Sequence, residues 1–281
     1  MTEELGLSLF KIAFWLYVIA TGGYLVGFIQ NSTVPAKLGR CFLLLGLAVH
    51  TASLVVITVA IGRAPFFNMY EYMLSFTWAA AVVYAAVELT TSTTSFGAFC
   101  LPVILALAYC TDVIPRGEID KSVLPVLKTW LIIPHVATAI LAYGAFGIAL
   151  VLAILYLIRE AADTAPGKRK ETSFWASRLP IAQKLDQIVY RTVAFGFLMQ
   201  TLVLITGAVW AQVSWGHYWT WDPVEVWALI TWLIYATYLH TRMTLGWRGR
   251  RSAWLAIIGF AVVGFTLWGV TYLLKGLHTY A

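Results

Sequence analysis

Residues 131–158 read LIIPHVATAILAYGAFGIALVLAILYLI, 28 consecutive positions without an Asp, Glu, Lys or Arg. A helix rises about 1.5 Å per residue, so this run would measure about 42 Å, more than the roughly 30 Å hydrocarbon core of a bilayer. It reads as a membrane-spanning helix. Seven further apolar stretches lie on either side of it, at residues 9–29, 41–61, 73–89, 96–110, 193–213, 224–239 and 253–274. The stretch at 96–110 is short and contains Pro102. The expected fold is therefore all-α: a polytopic transmembrane helical bundle of about eight spans, a single integral membrane domain over residues 1–281.

Composition agrees with that reading. Apolar residues make up 60% of the chain and charged residues 11%, with a mean hydropathy of +0.80, whereas soluble domains carry about 25% charged residues. No sizeable soluble domain fits into the remainder. A formal charge of +6 would suggest nucleic acid in a soluble protein, but here the basic residues gather in a few loops, which makes them an orientation signal. Eight spans put both termini on one side, and 13 of the 19 Lys and Arg residues fall in loops on the other. The termini are thus expected on the outer (periplasmic or lumenal) side. Residues 160–190 become a cytoplasmic-side basic loop, and residues 214–227 an outer segment. Glu3 and Glu4 precede the first apolar run, which lacks a small-residue cleavage site and reads as a retained span. Cys41, Cys100 and Cys110 form no CxxC pair and read as packed small hydrophobes.

Six of the 13 tryptophans fall between Trp210 and Trp232: those two with Trp215, Trp219, Trp221 and Trp227. Indoles collect at membrane interfaces, so an aromatic belt is one reading. The other is a shelf for a flat apolar macrocycle with a polar edge, favoured by the local density of rings and by Gly216 and Pro223 shaping the backbone. The acidic pair between the rings has a structural explanation. In Asp222-Pro223-Val224-Glu225, Asp222 has the place of an N-cap, Pro223 of the first helical residue and Glu225 of a capping-box partner.

An ionisable side chain within hydrocarbon is costly and usually faces a partner. There are five histidines. His135 follows Pro134 at the outer end of the fifth span, and His278 lies just beyond the eighth, also outside. Two imidazoles offered from opposite sides of a plane are what six-coordinate haem iron requires. His240 falls near the inner end of the seventh span and His50 near the middle of the second. For His50 an interhelical hydrogen bond is an equally good reading, and His217, beside water, is ambiguous. No HExxH or clustered Cys/His spacing suggests zinc, no Gly-rich loop suggests a phosphate site, and no charge ring suggests a channel.

Read whole, Trp215-Gly216-His217-Tyr218-Trp219-Thr220-Trp221-Asp222-Pro223-Val224-Glu225-Val226-Trp227 resembles the WWD motif of haem-handling membrane proteins. Together with Tyr238-Leu239-His240-Thr241-Arg242, with Gly276-Leu277-His278-Thr279-Tyr280, and with Pro65 and Asn68-Met69-Tyr70-Glu71 on the first outer loop, the chain resembles the CcsA (ResC) family, a subunit of the system II cytochrome c synthase. The resemblance spans most of the chain.

It implies transport of haem b, as substrate, across a bacterial cytoplasmic or thylakoid membrane, and haem lyase activity on the periplasmic or lumenal face. The haem would be joined to the CxxCH cysteines of apocytochrome c, kept reduced by thiol reductants. By position, His135 and His278 match the pair that ligates iron at the outer site and serve catalysis there. Trp215, Trp219, Trp221, Asp222 and Trp227 match the haem-binding segment, and His240 matches one ligand of a transmembrane haem whose other ligand comes from a CcsB (ResB) partner. The matched motifs do not cover His50, which stays a candidate cofactor-binding residue, and they carry no role onto His217. Outer-face Arg63 and Arg116 are available as propionate partners or as plain interfacial anchors. Two other functions use the same residues: a haem exporter or chaperone without ligation activity, and a di-haem electron-transfer membrane cytochrome, which would have no use for a Trp shelf facing water.

Overall fold

In a computed structural model, residues 2–114, 129–164 and 173–274 are described, and all regular structure among them is helical. The helices are α1 (Thr2–Gln30), α2 (Thr33–Ile61), α3 (Met69–Thr91), α4 (Gly97–Val113), α5 (Ile132–Thr164), the short α6 (Phe174–Arg178), α7 (Ala182–Trp215), α8 (Pro223–Thr244) and α9 (Arg250–Gly264), which runs through a π turn (Phe265–Gly269) into α10 (Val270–Leu273). Each apolar stretch of the sequence falls within a helix, give or take one residue.

Several helices outrun those stretches, because hydropathy marks only the part suited to lipid while the backbone stays helical through good helix formers beyond it. The segment at 160–190, expected as a loop, is largely helical where described: α5 continues to Thr164, helped by an Arg159–Asp163 pair at 3.1 Å, α6 follows, and α7 begins at Ala182. Among the described residues six helices are long and apolar enough to cross a membrane: α1, α2, α3, α5, α7 and the one that starts at Arg250. With 17 residues, α4 is shorter than a span. The 22 residues of α8 include Glu225, His240 and Arg242.

The chain divides into two compact units, one of Met1–Lys121 with Ala165–Leu179, the other of Ser122–Thr164 with Pro180–Ala281. In the first, α1 and α2 form a hairpin turned at Asn31 and Ser32. A Cβ on Gly23 would stand 2.9 Å from the Cα of Gly39 and the carbonyl oxygen of Pro35, so the two backbones touch there and only glycine fits. Buried Glu88 of α3 accepts hydrogen bonds from the Tyr24 hydroxyl and, at 2.7 Å, from Arg40 Nε, tying α1, α2 and α3 together. In the second unit α5 is the most enclosed helix. It lies along α7 and stacks Phe146 on Tyr235 of α8, ring centroids 3.6 Å apart.

Candidate functional site

The tryptophan segment is a short loop held between two helix ends. Trp215 is the last residue of α7, and Gly216, at φ +79°, closes that helix in the left-handed conformation that terminates many helices. Asp222 then starts α8 with a capping box: its Oδ1 accepts the Val224 N–H at 3.0 Å, and Glu225 Oε2 accepts the Asp222 N–H at 3.3 Å. Glu225 also reaches back to Thr220, accepting the backbone N–H at 2.8 Å and the hydroxyl at 3.1 Å. Both carboxylates are therefore committed to the backbone. Asp222 is buried and caps the helix start, as its spacing suggests.

The rings sort into three groups. Trp210, buried on α7, meets Trp215 edge to face at 4.9 Å. Trp219 and Trp221 meet at 5.9 Å and 88° within the loop. Trp227, on the first turns of α8, packs on Phe265 of the π turn at 4.3 Å. The Trp219 indole N–H is buried with no hydrogen-bond partner among the described residues. Trp221 is the opposite case: 74% exposed, with a φ of +60° that L-residues avoid.

His135 stands at the start of α5 and comes to the same end of α7. Its ring lies nearly parallel to Trp210, centroids 5.9 Å apart at 18°. Nδ1 is 3.2 Å from the carbonyl oxygen of Val203 and 3.4 Å from the Thr206 hydroxyl. A carbonyl oxygen only accepts, so Nδ1 carries the proton, and the lone pair of the neutral ring is then on Nε2. A backbone carbonyl on the far nitrogen is the usual support of a metal-ligating imidazole. Room for the ring comes from Gly207, whose Cβ, if present, would fall 2.8 Å from His135 Cε1.

The remaining candidates are placed elsewhere. His50, in the first unit, is fully buried; its Nδ1 is 3.2 Å from the Tyr17 hydroxyl, and Phe10 covers its ring at 5.1 Å. That is the interhelical hydrogen bond of the alternative reading. His240 is exposed on the last turns of α8, and its carbonyl accepts the Thr244 hydroxyl. His217 is exposed at the loop tip. His278 and Arg116 lie outside the described residues. Arg63 is engaged: its guanidinium donates twice to buried Glu71, at 2.7 and 3.0 Å, and lies over Phe67. It is thus a strut of the connection between α2 and α3 rather than an open cation.

With this geometry in place, comparison with known proteins decides the family. The cytochrome c assembly protein family profile matches residues 66–278. The cytochrome c biogenesis protein CcsA of Guillardia theta is 37% identical over 78% of this chain and 77% of its own length. That of Prochlorococcus marinus is 34% identical over 78% and 76%, and that of Parasynechococcus marenigrum 32% identical over 87% of each. The chain belongs to the CcsA family. Its role accordingly lies in cytochrome c maturation. Among solved structures it shares the fold of the cytochrome c heme lyase CcmF, with a TM-score of 0.69 at 17% identity; the match covers 98% of this chain and 47% of that larger protein.

For this CcsA family member, the sequence reading of the site missed the supports of His135. Val203, Thr206, Gly207 and Trp210 share one face of α7 at positions i, i+3, i+4 and i+7, but nothing local says that a histidine some 70 residues earlier would lie against them.

Proposed function

We propose that the chain receives haem b as substrate and holds it at the Trp215–Trp227 segment while its two vinyl groups are joined to the CxxCH cysteines of apocytochrome c. The observation that carries this reading is His135: an imidazole with Nδ1 on a backbone carbonyl, its lone pair on Nε2, stacked beside the Trp210–Trp215 pair. The other features suit the same guest. The loop offers indole faces to a flat apolar ring, and the buried Trp219 N–H is a donor suited to a polar edge.

In each thioether step the substrate S–H adds across a vinyl C=C, the sulfur bonding to one carbon and the proton passing to the other. No electrons are lost, and no nucleophile from this chain is needed. The thiols must arrive reduced, which calls for thiol reductants. The chain's contribution is to orient its guest and exclude competing reactions. His278 supplies the second iron ligand. His240, on the outer surface of α8, presents a ligand for a transmembrane haem completed by a CcsB (ResB)-like partner. His50 packs α1 against α2. We assign the six helices long and apolar enough to cross, α9 and its continuation counted as one, together with α4 and α8, to eight spans, with both termini and the tryptophan segment on the periplasmic or lumenal face of a bacterial cytoplasmic or thylakoid membrane. The gathering of basic residues on the other side supports this.

Co-expression with a CcsB-like partner and a CxxCH apocytochrome, followed by measurement of haem that survives denaturation, tests the reading. Wild-type chain yields covalent product; His135→Ala inserts normally and loses most of it, with partial recovery on adding imidazole. Undiminished product from His135→Ala removes the ligand role. Haem on the purified protein without covalent product under any condition favours an exporter or chaperone.

A further inference from the structure

The second unit holds a cleft of about 1110 Å³ at the end of the bundle remote from the tryptophan segment, where the chain's arginines gather. It is formed by the ends of α5 and α8, the starts of α7 and α9, and the connection at 245–249. Its floor is rigid. Arg242 donates to Asp186 through both terminal nitrogens, at 2.9 and 2.6 Å, and Asp186 also accepts the Gly249 N–H at 2.9 Å, so one carboxylate fixes α7, α8 and the connection together.

Around this floor stand Arg191, Arg248, Arg250 and Arg251, all exposed and none in an ion pair among the described residues. The acidic groups in the lining are already engaged: Asp186 as described, and Glu160 by the Tyr156 hydroxyl at 3.0 Å. Two helices, α7 of 34 residues and α9 of 15, open into the cleft by their N-termini, and neither is closed by a capping side chain. Each such terminus presents about half a positive charge and unbonded N–H groups to whatever lies in front of it. Beside the cations, Met243 and Leu245 line the same cleft at 75% and 62% exposure. Four guanidinium groups free of ion pairs among the described residues, that of Arg251 lying over the Trp247 ring, and two helix N-termini ask for a multivalent oxyanion. The exposed apolar side chains at the end of α8 ask for a hydrocarbon attached to it.

We propose that this cleft binds the phosphate of an acidic phospholipid headgroup, its acyl chains lying along the outside of the unit by Met243 and Leu245. The site is separate from the tryptophan segment and independent of the haem reading.

Full-length protein in a neutral detergent, titrated with phosphatidylglycerol or phosphatidylcholine and read by native mass spectrometry, tests it beside two variants: Arg191→Gln/Arg248→Gln/Arg250→Gln, and Lys37→Gln in the other unit. The wild type retains one phosphatidylglycerol in preference to phosphatidylcholine. At about fivefold in affinity per arginine near a membrane surface, the triple variant weakens this by roughly a hundredfold, with an unchanged melting temperature in lipid-free detergent, and Lys37→Gln has no effect. Equal retention of the two lipids, or retention unaffected in the triple variant, overturns the proposal. So does displacement of the lipid by equimolar inorganic phosphate, which would mark a free-anion site. Displacement by haem, with loss of haem from the triple variant, would assign the arginines to haem carboxylates and overturn it equally.

Discussion

Gly207→Ala separates the support of His135 from the stability of the helix that provides it. Within a helix, Gly→Ala gains about 1 kcal/mol of propensity. Here the new methyl would stand 2.8 Å from His135 Cε1 and 3.1 Å from Nδ1, so the ring must retreat about 0.6 Å to regain ordinary contact at 3.4 Å. The Nδ1–Val203 bond, already 3.2 Å long, does not survive that retreat. Losing one such bond costs about 1 kcal/mol. The two effects offset each other, and the melting temperature of the detergent-solubilised protein should stay within a few degrees of wild type. Function should not. Loss of an outer support typically weakens a metal ligand by about 10- to 100-fold, so haem per protein after purification, read from the Soret band, should fall by that factor and covalent product with it. Gly22→Ala is the control: no atom lies within 4 Å of its Cβ position, so it changes propensity alone. If Gly207→Ala retains full haem with an unchanged spectrum, Gly207 and Val203 do not set His135. If haem and melting temperature fall together, the effect is on folding, and the argument fails.

Two further outcomes follow from the loops. Trp221 holds a left-handed conformation that costs an L-residue about 1–2 kcal/mol, so Trp221→Gly should raise the melting temperature while lowering covalent haem product; a rise with full product would reduce Trp221 to an interfacial anchor. Arg63→Ala leaves the carboxylate of buried Glu71 without its cation and should destabilise the protein by roughly 3 kcal/mol, with Arg63→Met/Glu71→Gln, which keeps an acceptor for the Phe67 N–H, restoring part of the loss in thermal unfolding. Loss of haem from Arg63→Ala at unchanged stability would instead make Arg63 a propionate partner.

The helices and the start of α8 were legible in the residues because both depend on near neighbours. Hydrocarbon demands about 20 apolar residues in a row, and a capping box is decided within four positions, so Asp222 and Glu225 could be assigned to it from spacing. Helix ends were less legible: α5 and α7 continue past their apolar stretches on helix formers that hydropathy does not score.

What the sequence alone could not separate were its histidines. His50 and His135 both sit in long apolar runs as isolated imidazoles, and nothing in either neighbourhood distinguishes a packed ring from a ligand. Tertiary structure gives the two rings different surroundings. His50 is enclosed by Phe10 and Tyr17 across the α1–α2 hairpin, whereas His135 lies against Val203 and Gly207 of a helix 68 or more residues later in the chain. Composition and spacing determine roughly where the apolar helices run and where α8 starts. Which nitrogen keeps its proton depends on a carbonyl brought from a distant segment, and only the packing of helices supplies it.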